Sequence, residues 1–303
     1  MALTGMAAHV DTEFMTTREV ADLLRLKERR VYDLAAAGQI PCTRAVGKLL
    51  FQRSRIEAWL ASHDSSPGAA PAPACVLLGS HDPLLDWAVR ESRCGIATFF
   101  DGSLDGLDRF QRNEGIATGL HVRRRADEDW NVPLVRDRFA ARDVVLVEWA
   151  WRERGFLVAP GNPKRIEGAA HLASARVVPR QEQAGSQILL LDLLAAAGID
   201  PATIDFVHAA RTESDAASAV AEGSADAAFG LRSVARQYRL DFVPVLRERF
   251  DLLVSRPDWF EEPFQRFLAF LRTDLFAERL AASPGYDASG LGRVHFNAGR
   301  AAG

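Results

Sequence analysis

Val20, Leu23 and Leu24 follow the i, i+3, i+4 spacing of one helix face, behind Thr16 or Thr17 and Glu19, residues that suit a helix start. After a short break at Leu26 and Lys27, a second helix is predicted over Glu28–Ala37, closed by Gly38. Ile40-Pro41 then leads into Thr43–Gln52, two extended segments around Gly47-Lys48. Arg53–His63 returns to helix, with Ile56, Trp59 and Leu60 apolar. The next segment, SSPGAAPAPA from Ser65 to Ala74, offers nothing to bury and reads as a linker.

Beyond the linker the period changes. Short apolar strands are expected at Cys75–Gly79, Gly95–Phe99, Ile116–Leu120, Asp143–Glu148, Ala175–Val178, Asp205–His208, Ala225–Phe229 and Phe242–Val245. Amphipathic helices fall between them, at Pro83–Ser92, Leu104–Asn113, Ser186–Ala197 and Ser214–Glu222. This alternation predicts an α/β architecture with parallel sheets. The domains are therefore expected at residues 1–64, a linker at 65–74, and a larger unit at 75–303. A length of 303 residues agrees, exceeding the roughly 100–200 of a usual single domain.

Charge separates the halves further. The chain carries a net charge of −3, yet Met15–Ser62 holds Arg18, Arg25, Lys27, Arg29, Arg30, Arg44, Lys48, Arg53 and Arg55 against only Glu19, Asp22, Glu28, Asp33 and Glu57. A small basic unit beside an acidic remainder is the asymmetry of a chain in which one part meets a polyanion. The N-terminus has neither the basic start nor the apolar run of a secretory signal, and no later stretch is long and apolar enough to span a bilayer, so a cytoplasmic protein without membrane contact is expected. Cys42, Cys75 and Cys94 lack ligand spacing and an even count, and read as ordinary thiols rather than a disulfide or a metal site.

The segments MTTREVADLL, RRVYDLAAAGQIP and TRAVGKLLFQRSRIEAWL together resemble an excisionase/MerR-type winged helix-turn-helix over Met15–His63. The resemblance implies double-stranded DNA as a partner. Arg29, Arg30 and Tyr32 on the second helix would face a major groove, and Arg44 and Lys48, flanking the wing turn, would reach the backbone. Arg18 and Arg53 are further candidates, with a solvated surface charge as the alternative for each. One such unit carries few basic groups, so a homodimer on a two-fold operator is expected.

From Cys75 to about Gly292 the chain is similar to the periplasmic-binding-protein-like domains attached to such helix-turn-helix units, a group akin to molybdate- and tungstate-binding proteins. The likeness lies in CVLLGSHDPLLDWAV, FFDGSLDGLDRFQRNEGIATGLHV, GFLVAPGNPKRI, GSQILLLDLLAAAGID and SDAASAVAEGSADAAFGLRSVARQYRLDFVPVLRERFDLLV. It implies a two-lobed, type II fold crossed near Asp143–Val158 and Phe242–Val254, with an oxyanion such as molybdate or tungstate in the cleft as effector. No other cofactor and no metal are implied. Ser80, Ser103, Gly185, Ser186 and Thr212 stand at successive strand-to-helix turns, where helix N-termini favour anions. The plainer reading of each hydroxyl is an ordinary N-cap. His81 and His121 end strands and can hydrogen-bond a ligand or serve structure, while Trp149 and Trp151 read as core or hinge packing.

The chain departs from those relatives in two places. RQEQAGSQ stands where they carry a fuller Gly-Ser-Gly-Thr-Arg turn, and Phe250-Asp251 where they carry Tyr-Asp. Fewer donors leave room for a larger or organic anion. The leading expectation is a non-enzymatic, ligand-sensing transcription regulator. An enzyme linked to molybdenum-cofactor metabolism is the alternative, though no P-loop, nucleophile pair or metal-ligand spacing supports it. A purely architectural DNA binder is the third reading.

Overall fold

The computed structural model describes residues 14–45, 47–62, 73–123 and 129–298. The chain divides into two compact units, Met1–Ala70 and Pro71–Gly303. Residues 65–72 of the expected linker, and His63, lie outside the described residues.

In the first unit, strand β1 (Phe14–Met15) leads into helices α1 (Thr17–Leu24) and α2 (Glu28–Ala36), followed by strands β2 (Thr43–Ala45) and β3 (Lys48–Gln52) and helix α3 (Arg53–Ser62). Thr16 caps α1 in a reciprocal box: its hydroxyl accepts from Glu19 N at 3.3 Å while its own N–H donates to Glu19 Oε2 at 2.7 Å. Gly38, at φ +68°, takes the left-handed conformation expected after α2. β2 and β3 form the antiparallel wing, and β1, not foreseen in the hydrophobic pattern, adds to β3 as a third strand. Met15, Val20, Ala21, Val31, Ala35, Ile40, Phe51 and Ile56 are buried together, giving this small unit a core of its own.

The second unit begins with β4 (Val76–Gly79), α4 (Pro83–Ser92), β5 (Ala97–Phe100), α5 (Ser103–Gln111), β6 (Ala117–Leu120) and α6 (Val132–Phe139). A long strand, β7 (Val144–Val158), carries the chain into β8 (Arg176–Val178), α7 (Gly185–Ala196), β9 (Asp205–Phe206), α8 (Glu213–Ala221), β10 (Ala227–Leu231) and α9 (Arg232–Gln237). A second long strand, β11 (Asp241–Ser255), returns to α10 (Arg256–Trp259), α11 (Glu262–Phe270), α12 (Asp274–Ala281), β12 (Tyr286–Asp287) and β13 (Val294–Asn297).

β4 pairs in parallel with β5 and β6, and β8 with β9 and β10, as the βα rhythm predicts. The sheet as a whole is nevertheless mixed, because the crossing strands β7 and β11 run antiparallel to each other along their length. One half of β11 pairs with β6 and the other end of β7 with β10, so the pair belongs to both lobes. Each lobe buries its own apolar clusters. Trp149, Phe250 and Phe267 lie in the first, and Phe156, Leu190 and Phe229 in the second.

Candidate functional site

Where the parallel strands of both lobes end, their loops face one another across a cleft. This is the place at which open α/β sheets bind ligands. It is lined by Ser80, His81, Phe100, Asp101, Gly102 and His121 from the first lobe and by Arg180, Ala184, Ser186, Arg211 and Glu213 from the second. The lobes are closed on each other, leaving a free volume of about 10 Å³, room for about one water. Two glycines permit this approach. A Cβ on Gly102, at φ +138°, would lie 2.8 Å from Gln183 O, and one on Gly185 would lie 2.7 Å from the His121 ring.

The hydroxyls divide into two kinds. α4 is capped by Asp82, which accepts from Leu85 N; α5 starts after Gly102 and α7 after Ala184. Ser80, Ser103 and Ser186 therefore cap nothing and are held otherwise. Ser80 Oγ and Ser103 Oγ are 2.7 Å apart, His121 N donates to Ser103 Oγ at 3.3 Å, and Ser186 Oγ donates to Glu213 Oε1 at 3.0 Å. Thr212 is the N-cap of α8, in a box with Asp215, and does not line the cleft.

Beneath the hydroxyls runs a buried ionic network that polarity patterns missed. Arg152 and Arg154 of β7 are fully buried, as are Asp82 and Glu248, and Glu213 is 2% exposed. Arg152 donates to Asp82 at 2.8 Å and to Glu248. Arg154 donates to Glu248 at 2.6 Å and to Glu213 at 2.5 Å. Trp149 Nε1 and the Tyr286 hydroxyl also donate to Asp82. Burial works against the charge on Glu213, but Arg154 and Arg180 outweigh it and bring its carboxyl down to about 2. Burial lowers the pKa of His121 despite the Glu248 carboxylate 2.8 Å from its Nδ1, and also that of His81, which favours neutral rings in the cleft. Phe250, which stands at the tyrosine position of the resembled relatives, packs between the His121 ring and the Arg152 guanidinium, its ζ carbon against Gly119.

The signal for this network is present in the sequence as alternating charges, Glu148, Arg152 and Arg154, inside the apolar run of β7, with Glu248 opposite on β11. Such an alternation looks like a solvated strand face. Here both faces are covered, so each charge needs a buried partner.

In the first unit, Arg18, Tyr32, Arg44 and Lys48 border one groove of about 660 Å³ between α2 and the wing. Arg29 and Arg30 are exposed on α2 outside that lining, and Arg53 starts α3 half-buried. Among the described residues no ion pair engages Arg18, Arg29, Arg30, Arg44 or Lys48. Glu28 and Asp33 also border the groove and moderate its charge.

The geometry defines a class: a helix-turn-helix unit of DNA-binding type joined to a two-lobed unit of ligand-binding type. Residues 14–64 match a helix-turn-helix domain. Residues 87–272 match the PBP superfamily domain, and the chain belongs to that superfamily. It is similar to the uncharacterized protein YvgK of Bacillus subtilis, 24% identical over 304 residues, covering 94% of this chain and 98% of that protein. An uncharacterized protein encoded in the ferredoxin 2Fe-2S gene 5′ region of Clostridium pasteurianum is 32% identical over 114 residues, 35% of this chain and 96% of that one. Similar solved structures include the tungstate ABC transporter from Geobacter sulfurreducens, with a TM-score of 0.48 and 13% identity over 68% of this chain and 97% of that one. The regulatory domain of MetR, a LysR family regulator from N. meningitidis, gives a TM-score of 0.48 and 13% identity over 70% of this chain and 96% of its own. Among the described residues no helix is long and apolar enough to cross a membrane, and no cluster of three His, Cys, Asp or Glu side chains is arranged to hold a metal ion.

Proposed function

We propose that this protein is a cytoplasmic one-component transcription regulator that binds operator DNA through its first unit, as a homodimer, and senses a small oxyanion in the cleft of its second. The observation that carries the reading is the meeting of Ser80 and Ser186, neither of them a helix cap, with Arg180 in the lining of one closed cleft, Ser103 being buried behind Ser80 with its hydroxyl 2.7 Å away. Hydroxyls and first-turn amides of α5 and α7 are neutral donors suited to an anion. Molybdate and tungstate, the ions that the sequence resemblance implies, head the panel to be tested.

Calorimetric titration of molybdate, tungstate, sulfate and phosphate into the full chain tests the sensor. Replacing Ser103 or Ser186 by Ala removes a hydrogen bond to a charged ligand, worth about 1.5–3 kcal/mol, so affinity for the bound ion should fall roughly ten-fold or more. If no ion binds, or if both variants bind as well as the wild type, the oxyanion reading fails and an organic anion becomes the candidate.

A further inference from the structure

A second cavity in the larger unit, of about 410 Å³, shares no lining residue with the cleft. The first lobe supplies Leu84 from the start of α4, Arg279 of α12 and Tyr286 of β12, and the second lobe supplies Ser233, Arg236 and Gln237 of α9. A tight junction shapes this space. Gly285 takes φ +84°, a Cβ on it would lie 2.9 Å from Arg232 Cβ, and its carbonyl accepts from Glu153 N at 2.7 Å, so the loop before β12 is seated against α9. The Tyr286 hydroxyl donates to Asp82 at 2.6 Å, and Asp82 also accepts from Arg152. One wall of the cavity is therefore fixed by the buried network that underlies the cleft.

The charges here are not matched. No carboxylate lines the cavity, and its two guanidiniums, Arg236 and Arg279, have no ion pair among the described residues. Arg279 lies over the Trp87 ring, 5.3 Å from its centroid, a contact that uses the face of the guanidinium and leaves its N–H edges to hydrogen-bond. Ser233 Oγ is buried in the same lining and has no hydrogen-bond partner among the described residues. An unpaired buried hydroxyl costs free energy that a polar ligand group would recover. Ser283, also in the lining, spends its proton on Arg279 O at 2.8 Å and so offers only lone pairs, while the Gln237 amide offers both a donor and an acceptor.

We propose that this cavity is a second ligand site, separate from the cleft, for a hydroxylated phosphate monoester of sugar-phosphate size. A phosphate monoester gathers close to two negative charges on one group near neutral pH, which matches two guanidiniums without a neighbouring acid, whereas a single carboxylate brings one. The hydroxyls of the ester pair with Ser233, Gln237 and Ser283. The volume exceeds what a bare ion fills and falls within the roughly 300–1,000 Å³ of small-molecule sites. Because α9 packs in the second lobe and α12 in the first, an occupied site ties the lobes together at this junction. The proposal does not rest on the oxyanion reading, since the two linings are disjoint.

The test is calorimetric titration of the full chain at neutral pH with glucose 6-phosphate, with glucose and citrate for comparison, in the wild type, in Arg236→Ala and in Arg279→Ala. Both arginines are exposed, so neither replacement empties a core position. The wild type should bind the ester about ten-fold or more tightly than glucose or citrate, and each arginine variant should weaken the ester by about ten-fold. Citrate binding as tightly as the ester overturns the phosphate assignment in favour of a polycarboxylate, and glucose binding as tightly shows that the arginines select nothing. Ester affinity that is unchanged in both arginine variants, or that falls in Ser186→Ala instead, overturns the site and places the ester elsewhere on the chain. Absence of ester binding to the wild type overturns the proposal outright.

Discussion

Ser186 and Thr212 stand at neighbouring helix starts and look alike in sequence, yet they do different work. The Thr212 hydroxyl accepts from Asp215 N at 3.0 Å and caps α8, so Thr212→Ala should cost about 1 kcal/mol of stability and leave anion affinity unchanged. Ser186→Ala should lower anion affinity and, because the hydroxyl also donates to buried Glu213, cost stability as well, so calorimetry paired with chemical denaturation separates the two variants by affinity. Glu213 yields a pH prediction. Its carboxyl, ordinarily at 4.5, is held at about 2 by Arg154 and Arg180, so its contribution is fully present above pH 4.5 and is lost as pH falls toward 2. The shift corresponds to about 3 kcal/mol for this buried group. Glu213→Gln should thus be less stable than the wild type near neutrality, with the gap closing as the solution is acidified below pH 4.5. A gap independent of pH would show that the ionised form contributes nothing. At this scale strand-to-helix turns draw attention to Ser80, Ser103, Ser186 and Thr212 alike, and only the structure separates Thr212, a cap outside the cleft lining, from Ser80 and Ser186, which line it. Arg180, Glu213 and the β7 arginines were not legible in the sequence, since a charged side chain carries no mark of its own burial.

The helices named from periodicity follow almost to the residue, Pro83–Ser92 being the same span in pattern and in structure, but α6 and α9 to α12 were not among them. The crossing strands do not. Apolar alternation marks only Asp143–Glu148 as strand, whereas β7 continues to Val158, because Arg152, Glu153 and Arg154 interrupt the apolar run where the chain passes between lobes. The sheet's antiparallel centre was hidden for a related reason: direction is set by which lobe a strand leaves, a long-range property that no local window contains. In the first unit, the split between α2 and the wing predicts a split in DNA binding. Arg29→Ala or Arg30→Ala, on the exposed face of α2, should cost about 1–3 kcal/mol and relax specificity at one position if the side chain reads a base edge. Arg44→Ala or Lys48→Ala, beside the wing turn, should weaken binding evenly across sequences and lower the salt slope by roughly one unit. Fluorescence anisotropy over a range of salt distinguishes the two, and unchanged affinity and slope in all four variants would remove α2 and the wing as the DNA-contacting elements.

At the scale of the whole molecule, sensing requires that the two units exchange free energy, and this has a strict form. If ligand in the cleft changes DNA affinity by some factor, bound DNA must change ligand affinity by the same factor. Regulatory couplings of this kind amount to about 1–3 kcal/mol, or roughly 5–150-fold. The first unit, Met1–Ala70, has its own buried core and its own basic groove, so a fragment of those residues should fold and bind DNA. Lacking the second unit, it should bind without any response to the ion. Three measurements on one operator fragment therefore close a cycle: DNA affinity of the full chain with and without saturating ion, ion affinity with and without DNA, and DNA affinity of residues 1–70 with and without ion. The first two ratios should agree, and the third should be one. A Ser186→Ala chain at the same ion concentration should lose the response in proportion to its lost occupancy, while its DNA affinity without ion stays at the wild-type value. If the isolated first unit responds to the ion as strongly as the full chain does, the effect is ionic strength acting on phosphate contacts, and the cleft is not the sensor. If the full chain binds ion and DNA with no mutual effect, the two units share a chain without sharing a switch, and regulation by this ligand is excluded.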